Sequence, residues 1–135
     1  QSAAGILPPL TVFGNDYETS DGTCIRDYVH VMDIADAHVK ALEFMDTEKR
    51  SEEFNLGSSM GYSVNEIISK VEQVSGKKIP VEYTERREGD PAILIAGCKK
   101  AREILGWRPH YSIEKTIMTA WEWHKKYPKG FKDVK

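Results

Sequence analysis

The chain has 135 residues, of which 40% are hydrophobic and 30% are charged, a composition typical of one globular domain that excludes collagen-like and disordered chains. No apolar run approaches the roughly 18 residues that would span a bilayer, and the first residues lack the features of a signal peptide. We therefore expect a cytoplasmic protein with no membrane partner. The formal net charge is −2, and the basic residues that concentrate after residue 94 are spread over two predicted helices, which favours a solvated surface over nucleic-acid binding.

In chain order, the first predicted strand is Leu10–Phe13, and the polar, turn-rich stretch 14–23 follows it as a loop on the working face of the protein. A second run of β-branched and aromatic residues predicts a strand at Tyr28–Val31. Asp33 can then cap a helix that runs to about Met45. The inward face of this helix is predicted to consist of Ile34, Ala37, Ala41, Leu42 and Met45. A third predicted strand spans Glu53–Leu56.

The strongest helix pattern lies at residues 63–76. Ser63 and Glu66 match a capping box, apolar residues recur at helical spacing after them, and Gly76 stands where a left-handed residue ends a helix. The remaining predicted elements are strands at Val81–Tyr83 and Ile93–Ile95, a helix at Lys99–Leu105 that ends at Gly106, and a helix from Ser112 to about Tyr127. The alternation of strands and helices predicts an α/β fold that forms one piece.

Two short segments combine arginine with aromatic or acidic residues. In residues 26–28, Arg-Asp-Tyr, the alternation of an extended chain places Arg26 and Tyr28 on one face and Asp27 on the other. The second segment, residues 86–90, reads Arg-Arg-Glu-Gly-Asp. Because guanidinium groups bind phosphate through paired hydrogen bonds, the two segments could form a clamp for an anionic ligand. The same residues also fit an ion pair between Arg26 and a neighbouring carboxylate, with residues 86–90 as a solvated turn.

These segments also carry a resemblance to a known family, which extends over residues 1–130. The run 10–33 contains Gly-Asn-Asp-Tyr and Arg-Asp-Tyr-Val-His-Val-Met-Asp, and with residues 86–90 it closely resembles UDP-glucose 4-epimerases of the extended short-chain dehydrogenase/reductase family. Further matching runs stand at residues 54–57, 105–107 and 121–123. The resemblance implies the C-terminal, substrate-binding portion of that fold as one domain over residues 1–135, with the dinucleotide-binding half absent and expected upstream of Gln1.

The resemblance implies a site for a UDP-sugar substrate, formed by Thr11, Phe13, Arg26, Tyr28, Arg87 and Asp90. The two arginines match positions on the diphosphate, and the tyrosine and the aspartate match positions at the ribose and neighbouring nucleotide groups. The threonine and the phenylalanine match the strand that lines the uracil. Leu94 matches a position whose bulk is linked in this family to tolerance of N-acetylated sugars, and a leucine there indicates no preference.

The implied reaction is a transient oxidation of the hexose at C4 with NAD as the cofactor. It requires a glycine-rich turn for the cofactor and a Tyr-x-x-x-Lys pair on one helix face, and the glycine fingerprint is absent from this sequence. Tyr111 and Lys115 have the required spacing, but Ser112 is predicted to cap the helix and leaves Tyr111 outside it. We therefore predict no catalytic, cofactor-binding or metal-binding residue here, and an inactive chain in isolation.

Two alternatives stay open: a stand-alone nucleotide-binding module without catalysis, and part of another sugar-nucleotide enzyme such as a 4,6-dehydratase or a decarboxylase. Family members are commonly homodimers, so the resemblance implies a dimeric full-length protein. Because the missing half would leave an apolar docking surface exposed, the isolated chain is expected to be marginally stable or to self-associate. The two cysteines, Cys24 and Cys98, are expected to be buried thiols without a disulfide.

Overall fold

A computed structural model describes residues 1–133 of the chain. Its strands are β1 (Leu10–Phe13), β2 (Ile25–Asp27), β3 (Gly61–Ser63), β4 (Val81–Thr84) and β5 (Ile93–Leu94). Its helices are α1 (Val31–Glu48), α2 (Val64–Ser75), α3 (Lys99–Leu105) and α4 (Ile113–Lys126), followed by a short 3₁₀ helix (Gly130–Asp133). The alternation confirms the predicted α/β class. None of the helices in these residues combines the length and the hydrophobicity that a membrane span requires.

The strands form two small sheets that join distant parts of the sequence. β1 pairs in parallel with β4, so that Phe13 lies opposite Thr84. β2 is the central strand of the second sheet, antiparallel to β3 and parallel to β5. Arg26 is therefore in register with Tyr62 on one side and with Leu94 on the other. A strand with neighbours on both sides is held more firmly than an edge strand, and this position fixes the backbone of Arg26.

Local capping signals set most helix boundaries as the sequence predicts. Ser63 caps α2 in a complete capping box with Glu66, and Gly76 ends that helix with a left-handed φ of 68°. Gly106 ends α3 in the same way. Ser112 caps α4 by accepting a hydrogen bond from the backbone N–H of Lys115. These signals are short-range in sequence, which is why they could be recognised without the tertiary structure.

The start of α1 corrects the prediction at Asp33. The N-cap is His30, whose Nδ1 accepts a hydrogen bond from the backbone N–H of Met32 at 3.0 Å. The carboxylate of Asp33 is buried instead, and it accepts hydrogen bonds from the backbone N–H groups of His110 at 2.9 Å and Tyr111 at 3.2 Å. The predicted strand Tyr28–Val31 is wrong for a related reason, because the chain leaves β2 at Asp27 and the cap at His30 already begins the helix.

Two further expectations differ from the structure. Residues 53–56 form no strand, and Phe54 and Leu56 instead pack as irregular chain against the core. On α1, Ile34, Ala37 and Ala41 face inward as expected, but Leu42 is 66% exposed and Met45 is also exposed. The helix has two apolar stripes, and only one of them meets the core. The second stripe, formed by Val31, Val39, Leu42 and Met45, is open to solvent.

The core is centred on Trp107, which has no exposed surface. It packs with Ala37 of α1, with Ala101 of α3 and with Cys98, the N-cap residue of α3. The indole Nε1–H donates a hydrogen bond of 2.8 Å to the backbone carbonyl of Asp33. Because Asp33 also binds the backbone after Trp107, this one residue ties α1 to the segment that leads into α4. Cys24 and Cys98 are both buried and form no disulfide, as expected.

Candidate functional site

The two segments that the sequence singles out, residues 26–28 and 86–90, meet at one carboxylate. One oxygen of Asp90 accepts a hydrogen bond from Nη2 of Arg26, 64 residues away in the sequence. The other oxygen accepts from Nη2 of Arg87 at 2.8 Å and from its Nε at 3.2 Å. We name Arg26, Arg87 and Asp90 the arginine cluster. The predicted alternative, an ion pair between Arg26 and a carboxylate, is realised, but the partner belongs to the second segment and joins the two.

The Asp90 carboxyl is held in its ionised form, and the arginine cluster as a whole has an excess of positive charge. The Arg87 guanidinium, followed by that of Arg26, holds the pKa of Asp90 below its ordinary value of 3.8, against the opposing effect of burial. The hydrogen bond to Asp90 likewise raises the pKa of Arg87. Two guanidinium groups share one carboxylate, so the cluster as a whole is cationic and can attract an anion.

Phe13 extends this surface from the end of β1. The guanidinium carbon of Arg87 lies 4.9 Å from the centroid of the Phe13 ring, in cation–π contact. Thr11 and Phe13 are both exposed, whereas Val12 between them is buried, so the alternation of β1 places the two on one open face. An exposed aromatic ring beside a cationic cluster can stack on a flat, neutral ring of a ligand that also carries negative charge.

Tyr28 lies one residue beyond the end of β2 and is half-buried. Burial raises the pKa of its phenol, the neighbouring Cys24 adds to the rise, and Arg26 opposes it. Tyr28 is therefore in electrostatic contact with one member of the arginine cluster, although it makes no direct bond to the cluster that the structure shows. Leu94, the position implied as a sugar determinant, is exposed and stands beside Arg26 in the β2–β5 pair.

Asp27 holds the backbone that carries Arg26. One carboxylate oxygen accepts hydrogen bonds from the backbone N–H of Ser58, at 3.0 Å, and from its hydroxyl. The other oxygen accepts from the backbone N–H of Ala96 at 3.2 Å. A Cβ atom at Gly57 would lie 2.3 Å from this carboxylate, so only glycine fits there. Sequence reasoning assigned Asp27 to the opposite face from Arg26 but missed this anchoring role.

Arg86 does not join the arginine cluster. Its Nε donates to Asp16 Oδ1 at 2.7 Å and its Nη2 donates to the Asp16 backbone carbonyl. The hydrogen bond from Arg86 is the main cause that lowers the pKa of Asp16. The guanidinium carbon also lies 4.3 Å from the centroid of the Tyr17 ring. Arg86 therefore connects the loop 14–23 to the turn 86–90, whereas the adjacent Arg87 belongs to the arginine cluster.

His30 and Tyr111 are engaged in structural contacts, and the Tyr-x-x-x-Lys string does not lie on one helix face. Tyr111 precedes the Ser112 cap of α4, outside the helix, and it stacks on His30 with ring centroids 4.0 Å apart. His30 Nε2 lies 2.8 Å from Thr119 Oγ1, so both of its nitrogens are used in structural contacts. Within the part of the chain that the structure describes, no group of three His, Cys, Asp or Glu residues is placed to hold a metal ion.

In a comparison with known protein families, residues 1–120 match the family model described as GDP-mannose 4,6 dehydratase. A UDP-glucose 4-epimerase of Lacticaseibacillus casei is 51% identical over 134 residues, which are 98% of this chain and 40% of that protein. The chain thus spans about two fifths of the length of the curated relatives it matches.

Solved structures of UDP-glucose 4-epimerases also share the fold of this chain. A UDP-glucose 4-epimerase from Stenotrophomonas maltophila, with bound NAD and formylated UDP-arabinopyranose, superposes with a TM-score of 0.89 at 41% identity, over 96% of this chain and 38% of the other. A UDP-glucose 4-epimerase from Bifidobacterium longum in complex with NAD+ and UDP gives a TM-score of 0.86 at 38% identity over the same shares.

Proposed function

Because the chain belongs to the family that the GDP-mannose 4,6 dehydratase model describes, and is similar to UDP-glucose 4-epimerases at up to 51% identity, we propose that it binds the UDP moiety of UDP-glucose and UDP-galactose. In this proposal its residues form one C-terminal substrate-binding domain of an NAD-dependent UDP-glucose 4-epimerase. The complete enzyme would be a homodimer that interconverts the two sugars in galactose metabolism. This chain alone would be inactive.

The observation that carries the proposal is the arginine cluster. Asp90 brings together two guanidinium groups, its own neighbour Arg87 and Arg26 from 64 residues away, next to the exposed ring of Phe13. A nucleoside diphosphate has matching parts, since its diphosphate is a compact anion and its base is a flat ring. The side chains of Arg26 and Asp90 are only 19% and 15% exposed, so water competes weakly at Arg26, whereas the Arg87 side chain is 60% exposed and open to a ligand.

Each predicted residue has a distinct part in the proposed complex. Arg26 and Arg87 bind the diphosphate oxygens, and Phe13 and Thr11 line the base. Asp90 holds the two arginines in place and is the acceptor available for a ribose hydroxyl. Tyr28, which lies near Arg26, completes the nucleotide side of the site. Binding the substrate by its unreactive nucleotide leaves the hexose free to be positioned by the rest of the enzyme.

NAD is named with the relatives' structures, but the part of this chain that the structure describes does not fit an NAD site. A dinucleotide site requires a strand that passes through a glycine-rich turn into a helix. In residues 1–133, the strand that runs directly into a helix is β3, and it does so through the capping residue Ser63 without a glycine turn. In this proposal, the cofactor is bound mainly by the dinucleotide-binding half of the full-length enzyme, and the hydride chemistry takes place there.

The proposal is tested by calorimetric titration of the 135-residue chain with UDP at two salt concentrations. We expect binding that weakens with salt, and an Arg87→Ala variant that binds about ten- to hundred-fold more weakly, because it loses charge-assisted hydrogen bonds to phosphate. Arg50→Ala is the matched control. Arg50 also combines an ion pair, to Glu52, with a cation–π contact, to Phe44, but it lies in the loop after α1.

Unchanged UDP affinity in Arg50→Ala together with a large loss in Arg87→Ala supports the proposal. Failure of the wild-type chain to bind UDP, or equal affinities in the two variants, contradicts it. The stand-alone alternative would also bind UDP, and it is distinguished by a complementation assay. In that assay, the dinucleotide-binding half of a relative is fused to the N-terminus of this chain. Epimerase activity in the fusion protein supports the proposal, and its absence favours the stand-alone module.

A further inference from the structure

Residues 53–57 follow α1 with a backbone that no other part of the described chain binds. Their side chains alternate in exposure, since Glu53 and Asn55 are exposed whereas Phe54 and Leu56 are half-buried. This period of two is the pattern of a β-strand. From Phe54 to the end of the run, neither the N–H nor the C=O groups of the backbone bond to any group among the described residues.

A run of this kind is a strand edge without its neighbour. Backbone N–H and C=O groups in folded proteins are nearly all paired, and those of a strand are paired with the next strand. Gly57, which closes the run, is buried, so its backbone has little contact with water. Phe54 and Leu56 pack against the core and hold the run in place. Such an edge is a template for pairing with a further strand.

The exposed second stripe of α1 adjoins this edge. The ring of Phe54 packs edge-on against Phe44 of α1, with ring centroids 5.7 Å apart. Ala41 of the same helix lines a small cavity together with Phe54 and Leu56. Leu42 is 66% exposed and lies about 100° around the helix from Ala41. Helices of α/β folds bury such stripes on the face of a sheet, so one missing sheet accounts for both features.

We propose that residues 53–57 form an added strand of a β-sheet in the dinucleotide-binding half of the full-length enzyme, and that the second stripe of α1 packs on the same sheet. This inference rests on the proposed function, in which the chain is one part of a longer enzyme. A dinucleotide-binding domain is built on an open, mostly parallel sheet, whose edge can accept one more strand.

The lengths of the relatives favour this occupant. The chain spans 40% of the Lacticaseibacillus casei protein and 38% of the Stenotrophomonas maltophila structure, so most of each relative lies outside the part that this chain matches. A second copy of this chain would offer residues 53–57 only another isolated edge, without a sheet for the stripe to cover.

The test is amide hydrogen exchange, followed residue by residue, in the 135-residue chain and in the fusion protein that carries the dinucleotide-binding half of a relative at its N-terminus. We expect the amides of residues 54–57 to exchange rapidly in the chain alone. In the fusion, at least alternate amides of this run should exchange roughly hundred-fold or more slowly, because alternate N–H groups of a strand point to the same neighbour. The chain alone is measured at two concentrations.

Asn55→Pro removes one N–H group from the edge, and proline is not accepted inside a paired strand. Because this N–H has no partner among the described residues and the side chain is exposed, the isolated variant should melt at the wild-type temperature and bind UDP as wild type does. In the fusion, Asn55→Pro should abolish the slow exchange and lower the melting temperature. Ser51→Pro is the matched control, since Ser51 is exposed in the same irregular stretch but lies outside the edge.

Fast exchange of residues 54–57 in the fusion overturns the inference, and if that fusion has epimerase activity, the proposed function stands without it. Slow exchange already in the chain alone also overturns it, and protection that disappears on dilution identifies a second copy as the occupant. Equal effects of Asn55→Pro and Ser51→Pro on the fusion count against the inference as well. Failure of the 135-residue chain to bind UDP contradicts the proposed function, and with it the inference.

Discussion

The anchoring of β2 by Asp27 leads to a prediction that connects stability with the candidate site. The carboxylate accepts hydrogen bonds from two backbone N–H groups, those of Ser58 and Ala96, and these groups are partly buried. In Asp27→Asn the side chain has nearly the same shape, but one oxygen becomes an NH₂ group that cannot accept. One backbone N–H is then left facing another donor.

An unpaired, partly buried N–H costs about 1–3 kcal/mol, so Asp27→Asn should lower the free energy of unfolding by about that amount. Asp27→Ala leaves both N–H groups without a partner and should cost about 2–5 kcal/mol, a large share of the about 5–15 kcal/mol available to a typical domain. Because Arg26 precedes Asp27 in the same three-residue strand, UDP affinity should fall in parallel with stability.

The measurement is urea denaturation of the two variants and of Asp46→Asn, followed by titration with UDP. Asp46 is the matched control, since it lies at the exposed end of α1 and pairs with Lys49 on the surface. Surface pairs of this kind contribute little. If Asp27→Asn unfolds at the same urea concentration as Asp46→Asn, the carboxylate does not anchor β2 and the reasoning is refuted.

Two further predictions follow from the structure. The pKa of Glu52 is lowered from 4.5 to about 2, mainly by the hydrogen bond from Lys100. A carboxyl group whose pKa is lowered by folding stabilises the folded state at pH values above its ordinary pKa. The contribution of Glu52 to stability should therefore disappear as the pH falls from about 4.5 to 2. Thermal melts over this range should show a shallower loss for Glu52→Gln, and parallel curves would contradict the assignment. The exposed stripe Val31, Val39, Leu42 and Met45 predicts self-association of the isolated chain, which Leu42→Lys should reduce. A monodisperse wild-type monomer in light scattering would argue against it.

Much of the site could be recognised in the sequence because its residues lie in short, distinctive runs. Arg26, Arg87 and Asp90 were predicted as ligand-binding residues, and the structure brings these three side chains together with Phe13. Their assignment to particular groups of the ligand remains a prediction. Tyr17 was placed in a loop on the working face, but its burial beside Arg86 depends on contacts across 69 residues that no local pattern contains.

The errors have one physical origin. A capping residue is recognised by its distance of two or three positions from the N–H group it binds, and this rule correctly placed Ser63 and Ser112. The same rule predicted Asp33 as a cap, but its carboxylate accepts hydrogen bonds from the segment that follows Trp107. His30 is the N-cap of α1 instead. The run 53–56 has strand-like residues, but it pairs with no strand, and Phe54 and Leu56 pack against the core instead.

The sequence by itself determined the α/β alternation, most helix boundaries and the two arginine segments, because these depend on residues a few positions apart. Only the tertiary structure decided that Asp90 serves both arginines, that Arg86 faces the loop and Arg87 faces Phe13, and that Asp27 anchors β2. Adjacent residues of identical chemistry can be told apart only by the partners that the folded chain places around them, and those partners come from distant strands and turns.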